Sequence, residues 1–213
     1  YIEAKNRITD WNNEKNDSLS NDNKSNIYYL TIHQNRDKET LLQLADQGDA
    51  KAQLEVAELY DMGVGGFEQN AEQNLLWLFK AVDQEYPPAI TYLACKYNQD
   101  TYNNNSSYTK TNNQMEEDLT IEAANLGDAL AQYRMGFKYL RGDYDDYAGE
   151  DVIKRVALYW FKKSAKNGYP PSSKALAEIN LGEFGFSYNK DEAIYWLLKA
   201  REGYTKQAKK IHP

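Results

Sequence analysis

The chain has 213 residues, 41% of them hydrophobic, and a formal net charge of −7. This composition is typical of a folded chain and is neither that of a disordered chain nor that of a membrane protein. The longest apolar run, residues 75–79, is far below the roughly 18 apolar residues of a membrane-spanning helix, so we expect no membrane span. The single cysteine, Cys95, excludes an internal disulfide framework and leaves the redox compartment open.

Charge is unevenly distributed along the chain. Residues 1–40 carry a net charge of −1, residues 41–150 carry −12 and residues 151–213 carry +6. An acidic middle segment repels the phosphate backbone, so nucleic acid is not expected as the main ligand. A protein partner with a basic face suits this segment better. The oligomeric state is not indicated by the sequence.

The first 26 residues differ from the rest of the chain. A weak apolar stripe in residues 2–11 predicts a short leading helix, and the Asn, Asp, Ser and Lys residues that follow predict a flexible linker. From residue 27 to residue 213 we expect one array of helices. Its start is a degenerate helix pair, in which Asp37 caps the second helix and Gly48 follows that helix's end.

Two fragments of the chain return further along with similar residues in the same order. Residues 44–53 (LADQGDAKAQ) return at 123–132 as AANLGDALAQ, and residues 76–88 (LWLFKAVDQEYPP) return at 159–171 as YWFKKSAKNGYPP. Self-similarity at a nearly fixed period is the signature of a solenoid of stacked helix pairs.

The helix pairs can be aligned on rows of residues with the same character. A small residue near the start of each first helix lies 12 positions after the corresponding residue of the second helix before it. This constant spacing predicts the same geometry for every turn that joins one helix pair to the next. The small residues are Ala52, Ala89, Ala131, Ser172 and Ala208. The second helices carry a bulky anchor, four residues before another small residue, that we expect in the core. The anchors are Trp77, Leu119, Trp160 and Trp196.

This pattern resembles the Sel1-like repeat, a relative of the tetratricopeptide repeat, over residues 48–208. One copy matches at Ala52, Val56, Ala57, Tyr60, Gly63, Trp77 and Ala81. Another matches at Ala131, Met135, Gly136, Tyr139, Gly142, Ala157, Trp160, Ser164 and Gly168, and a last one at Ala193, Trp196 and Ala200. The copy between the first two departs from the pattern, because Leu119 replaces the Trp, no Gly follows Tyr97 and the internal loop is longer.

The departures from the repeat predict where function is encoded. Residues 98–113 form the largest insertion, which we interpret as a loop that either contacts a partner through Tyr102 and Tyr108 or is merely tolerated. Residues 142–151 form an acidic loop. Its candidate contact residues are Tyr144, Asp145, Asp146 and Tyr147. Calcium binding there is disfavoured because the ligand order of the helix-loop-helix calcium site is missing, and a solvated loop remains the simpler alternative.

No catalytic, cofactor-binding or metal-binding residue is assigned. The only histidines, His33 and His212, lie at opposite ends of the chain, which disfavours a histidine-based metal site or triad. The glycines of residues 63–66 predict a turn between helices and not a phosphate loop. We interpret the carboxylate pairs Glu55 with Glu58 and Glu116 with Glu117 as solvated faces, and Cys95 as a packed or half-exposed thiol.

The fold class that we predict is all-α, a right-handed superhelical solenoid of about four to five antiparallel helix pairs. The resemblance implies that the first helix of each pair lines the concave surface. Side chains outside the packing rows are then expected to be exposed there and to bind a partner. These candidates are Glu55, Glu58, Tyr92, Lys96, Tyr133, Arg134, Phe137 and Lys138.

The resemblance implies a non-catalytic protein–protein interaction module. Similar bacterial proteins include immunity proteins that neutralise secreted antibacterial effectors, some of them lipases, often in the periplasm, and this is the function that we favour. Because the chain starts at Tyr1 and not at Met, we expect a processed or trimmed product. A regulatory adaptor that binds a peptide or helix in its groove is the alternative, and a peptidoglycan-active hydrolase is a third.

Overall fold

The computed structural model describes residues 37–103, 109–143 and 149–211 of the chain. Within these ranges the protein forms nine α-helices, one short 3₁₀ helix and no β-strand. The leading helix, the linker and the domain boundary at residue 26 lie outside the described residues, as does the first helix of the degenerate pair, so these stay predictions.

The helices follow one another with short connections. They are α1 (Lys38–Asp46), α2 (Ala50–Met62), α3 (Ala71–Val82), α4 (Pro87–Asn103), α5 (Thr109–Asn125), α6 (Ala129–Arg141), α7 (Glu150–Lys166), α8 (Pro170–Asn180), the 3₁₀ helix (Glu183–Gly185) and α9 (Lys190–Ile211).

Consecutive helices pack as pairs, α2 with α3, α4 with α5, α6 with α7, and α8 with α9. Helix α1 packs on α2, α5 on α6 and α7 on α8, so each pair rests on the next along the chain. This arrangement confirms the predicted all-α solenoid of helix pairs.

The repeated fragment makes the same hydrogen bonds in both of its copies. Asp49 and Asp128 cap α2 and α6, each accepting a hydrogen bond from a backbone N–H three residues on at 2.7 Å. The buried side chains of Gln53 and Gln132 each donate to the carbonyl oxygen eight residues earlier at 3.0 Å. Each glutamine thus adds a hydrogen bond to a carbonyl near the end of the preceding helix, which also accepts one from the backbone N–H of the glycine three residues on.

The predicted packing rows occupy the core. Four of the five small residues that open first helices are fully buried, namely Ala52, Ala89, Ala131 and Ser172. The anchor Trp77 is buried, whereas Trp160 and Trp196 are half-buried. Position 136 on α6 accommodates only glycine. A Cβ added to Gly136 would lie 2.7 Å from Cε1 of the fully buried Phe161 on α7. Glycine thus lets α6 and α7 approach closely.

The predicted insertion loop at residues 98–113 is mostly helical, so this prediction is wrong. Helix α4 continues to Asn103 and α5 begins at Thr109, which leaves only residues 104–108 outside the described part. Asn and Thr differ from good helix formers by less than about 1 kcal/mol per residue, a preference that packing between two adjacent helices overrides. The predicted turns at residues 63–70, 142–149 and 182–189 do separate helices.

The predicted turn before Ala208 is also wrong. Helix α9 runs without interruption from Lys190 to Ile211, and Ala208 is exposed on it. Two of the earlier turns contain a proline, Pro87 or Pro170, and the other two contain a glycine followed by a capping aspartate, Asp49 or Asp128, whereas neither residue type follows Gly203 before residue 213. Gly203 instead allows close approach, because a Cβ there would lie 2.7 Å from Cγ of Pro170.

Candidate partner-binding face

The first helices of neighbouring pairs are joined by polar contacts. On α2, Asp61 accepts a hydrogen bond of 2.7 Å from the Tyr92 hydroxyl and forms an ion pair with Lys96. Tyr92 and Lys96 lie four residues apart and therefore on one side of α4. Two residues predicted as partner contacts thus point at α2 and pair with a carboxylate that sequence reasoning had not selected.

A second polar cluster joins α4, α5 and α6. Glu116 on α5 is only 4% exposed, and its carboxylate pairs with Arg134 and with Lys138, whose Nζ lies 2.7 Å from Oε2. The Thr120 hydroxyl donates to the same carboxylate at 3.1 Å. A buried carboxylate is costly unless cations and donors surround it, and here two cations and a hydroxyl do so.

The thiol of Cys95 on α4 belongs to this second cluster. An Arg134 Nη1 donates to its sulfur at 2.7 Å. Burial raises the pKa of the Cys95 thiol and the nearby Glu116 adds to the rise, while the Arg134 guanidinium opposes it. The thiol is therefore held in its neutral form, as expected for a packed cysteine and not for a nucleophile.

Aromatic side chains join α6, α7 and the 3₁₀ turn. Tyr133 and Phe137 meet edge to face with ring centroids 4.9 Å apart, and both contact the buried Phe161. Phe184 extends the group at 6.3 Å from Phe137, and its side chain is 49% exposed. Burial, followed by the charge of Glu178, raises the pKa of Tyr133. These contacts place Tyr133 and Phe137 partly in the core.

The predicted exposure of the eight first-helix candidates is wrong in degree. Glu55 is buried, with 7% of its surface exposed, and the other seven are half-buried. Other helices contact several of these side chains, as Asp61 on α2 contacts Tyr92 and Lys96, and a register within one helix does not reveal such contacts. The interpretation of Glu116 as solvated is likewise wrong, because it is buried between α4 and α6.

We call the residues that these polar contacts bring together the first-helix face. It consists of Asp61, Tyr92, Lys96, Arg134 and Lys138 on the first helices α2, α4 and α6, together with Glu116, which reaches them from the second helix α5. Asp61 and Glu116 are the members that were missed. Glu116 was singled out in the sequence only as half of a carboxylate pair, and Asp61 had no distinguishing pattern.

The loop candidates cannot be placed. Tyr102 lies within α4, but its side chain is outside the described residues. Tyr108 and the four acidic-loop candidates, residues 144–147, also lie outside them. Their contact with a partner stays a prediction.

The described residues contain neither a membrane-spanning helix nor a metal-binding cluster. None of their helices is long and apolar enough to cross a membrane. Nor do the residues of the three described ranges contain a group of three or more His, Cys, Asp or Glu side chains placed to hold a metal ion.

Comparison with known families finds the Sel1 repeat at residues 50–86, 129–169 and 175–203, together half of the chain. The chain belongs to the Sel1 repeat family. The matched segments omit residues 87–128, which hold the copy that departs from the pattern. Sel1 repeats generally form a non-catalytic protein-interaction fold, so this chain contains a Sel1 protein-interaction module.

Individual relatives agree with this family assignment. Chitin synthase regulatory factor 3 of Schizosaccharomyces pombe is 27% identical over 151 residues, 71% of this chain and 15% of that protein. The structure of a Sel1 repeat protein from Oxalobacter formigenes is 29% identical with a TM-score of 0.59, covering 81% of this chain and 49% of that one. The chain therefore spans half or less of these two relatives.

A third likeness concerns the fold alone. The immunity protein Pa5087 from Pseudomonas aeruginosa has a TM-score of 0.50 and 15% identity to this Sel1 chain, covering 89% of it and 85% of the Pseudomonas protein. At this identity the two share an arrangement of helices, and no residue roles are carried over.

Proposed function

We propose that this Sel1 repeat chain is an immunity-type inhibitor that binds and neutralises a secreted antibacterial effector, such as a lipase. The observation that carries the proposal is the first-helix face, where ion pairs between helices hold Lys96, Arg134 and Lys138 in place. A surface whose long side chains are already ordered loses less conformational entropy on binding. It therefore suits tight association with one folded partner.

The side chains of the first-helix face also keep surface that a partner can contact. Tyr92, Arg134 and Lys138 are each half-buried, so they keep part of their surface for a partner while remaining paired within the chain. Tyr and Arg are enriched among residues that dominate binding energy at interfaces. The fold shared with an immunity protein is consistent with this role, and periplasmic location is part of the same proposal.

The test begins with the full chain, tagged and used to capture partners from the source organism after cross-linking. A captured enzyme is then purified, and its activity is measured while the Sel1 chain is titrated in, for a lipase by hydrolysis of a chromogenic ester. We expect inhibition that is complete at one chain per enzyme. Coexpression of the chain should also restore the growth of cells that produce the enzyme.

The variant Arg134→Ala should weaken inhibition, while Lys51→Ala, which alters an exposed lysine at the start of α2, should not. Full activity of the captured enzyme at saturating Sel1 chain contradicts the inhibitor role and favours the regulatory adaptor. Fractionation of the source cells that finds the chain only in the cytoplasm contradicts the periplasmic location.

A further inference from the structure

A groove with a volume of about 770 Å³ lies between the carboxyl half of α7, the turn to α8, and α9. It exists because α9 does not turn where the repeat predicts, so the last part of α9 continues past Pro170. Gly203 permits this path, since any larger residue would meet the Pro170 ring. The groove is thus a consequence of a departure from the repeat in this chain.

The charge in the groove is strongly positive. Five lysines line it and a single carboxylate, Glu202, opposes them. Glu202 pairs with Lys206 at 2.7 Å and with Lys199 at 3.3 Å, and hydrogen bonds from these two lysines lower its pKa. The other three lysines have no ion-pair partner in the part of the chain that the structure describes. They are Lys162, Lys166 and Lys209.

Aromatic surface lies among these lysines. The Tyr195 side chain is 50% exposed, and Trp196 is half-buried with its Nε1 donating to Glu192 at 3.1 Å. The two rings meet edge to face at 5.0 Å, and Tyr169 and Pro170 lie on the opposite wall of the groove. The aromatic surface can bury an apolar side chain of a bound segment away from water. The lysines can then contact charged groups on either side of that side chain.

We propose that this lysine groove binds a short acidic segment of a partner protein, in which Asp and Glu residues flank an aromatic or aliphatic side chain. The volume of the groove lies within the range of small-ligand sites, which suits a short segment of chain. Charge complementarity selects the acidic sequence, because three lysines otherwise remain unpaired. The proposal concerns a surface separate from the first-helix face and does not depend on the inhibitor role.

A compact anion fits the groove less well than an extended acidic chain. The amino end of α8 lies on the groove, but it begins with Pro170 and Pro171, which have no N–H to donate, and the Ser172 N–H is bonded to the Tyr169 carbonyl oxygen. Nucleic acid is disfavoured by the net charge of −12 on residues 41–150 of the same chain.

The experiment selects a phage-displayed library of random peptides against the immobilised full chain. We expect the enriched peptides to be acidic and to contain an aromatic or aliphatic residue. The affinity of an enriched peptide, measured by fluorescence anisotropy, should fall at least about tenfold in the double variant Lys162→Glu and Lys209→Glu. It should fall by no more than about twofold in the control Lys51→Glu and Lys190→Glu, which changes the net charge equally at exposed lysines outside the groove.

Several results would overturn the proposal. They are enrichment of neutral or basic peptides, and equal loss of affinity in the groove and control variants. Tighter binding of a single-stranded oligonucleotide, lost in the groove variant, would assign the groove to nucleic acid. A wild-type dimer in sedimentation that becomes monomeric in the groove variant would assign it to a second copy of this chain. Circular dichroism checks folding, and Lys162→Gln replaces the double variant if that variant does not fold.

Discussion

The first-helix face and the lysine groove are both rich in cations, but they differ in whether those cations are paired. Lys96, Arg134 and Lys138 each contact a carboxylate from a neighbouring helix. Lys162 and Lys166 in the groove have no such partner within the described residues. Paired charges hold helices in register and order a surface, whereas unpaired charges add little to stability and are available to a ligand. Substitutions of charged residues in the first-helix face should therefore lower the stability of the fold. Substitutions of lysines in the groove should instead lower the affinity for a ligand and leave stability nearly unchanged.

The largest effect on stability is expected at Glu116. The change Glu116→Gln leaves Arg134 and Lys138 without their carboxylate, and we expect a loss of roughly 2–4 kcal/mol in the free energy of unfolding, below that for fully buried pairs because both cations retain some exposure. Urea unfolding of the full chain measures it. The control Glu117→Gln should remain within about 0.5 kcal/mol. Equal losses in the two variants would show that the cluster does not stabilise the fold.

The junction between the two regions is expected to be the next most sensitive point. Helix α6 contributes to the first-helix face and α7 to the groove, and the pair meets at Gly136 and Phe161. Gly136→Ala forces the buried Phe161 ring to move, so we expect a loss of about 1–3 kcal/mol in unfolding free energy, measured by urea unfolding. Gly149→Ser is the control, because an added Cβ there meets no atom within 4 Å and serine is a favoured residue at this N-cap position of α7. A loss no larger than in this control would contradict the close approach of the helices.

Much of the fold could be predicted because each copy of the repeat places its buried residues at the same spacing. Ala89, Ala131 and Ser172 each stand 12 residues after the preceding anchor, and all three are fully buried. Helix ends were less predictable where no residue imposes them. Asp37 caps α1 as expected, but the Asn-rich stretch after residue 98 has neither proline nor glycine, so packing decided how far α4 and α5 extend.

The candidate site was predicted only in outline. The register placed Tyr92, Lys96 and Arg134 on first helices, which is where they lie. It did not show their exposure, because the carboxylates that cover them come from other helices. Glu116 is 18 residues from Arg134 in sequence and meets it only after α5 packs on α6. The lysine groove was also not predicted, because it forms only where α7, α8 and α9 come together. The charge of +6 on residues 151–213 did indicate a basic region in this part of the chain.

The contrast between paired and unpaired lysines can be tested directly. Lys138→Gln removes one of the cations that neutralise Glu116, and we expect a loss of about 1–2 kcal/mol in unfolding free energy. Lys162→Gln should change it by no more than about 0.5 kcal/mol. Urea unfolding of both variants gives the comparison. A larger loss for Lys162→Gln would mean that the groove lysine stabilises the fold, and the distinction between the regions would then fail.

The smallest effect should appear in the pH dependence of stability, through Cys95. Because burial raises the pKa of this thiol in the folded chain, the unfolded chain loses the proton first, at about pH 8.5. The neutral thiol therefore contributes stability that is complete below that pH and is lost as the pH rises through the raised folded pKa. Cys95→Ser, which does not ionise here, should show a shallower decline in the urea midpoint above about pH 8.5, measured under reducing conditions.

The tyrosines do not confound this comparison. Burial also raises the pKa of Tyr86 and Tyr133, but both are present in each protein and lose their protons only above about pH 10. Since Glu116 adds to the rise of the Cys95 pKa, Glu116→Gln should lower the folded pKa, so that the decline is smaller and ends at a lower pH, while Lys162→Gln in the groove should leave the decline unchanged. Identical declines in wild type and Cys95→Ser would mean that the thiol is not buried in the cluster. The polar contacts among α4, α5 and α6 would then be looser than the ion pairs around Glu116 imply.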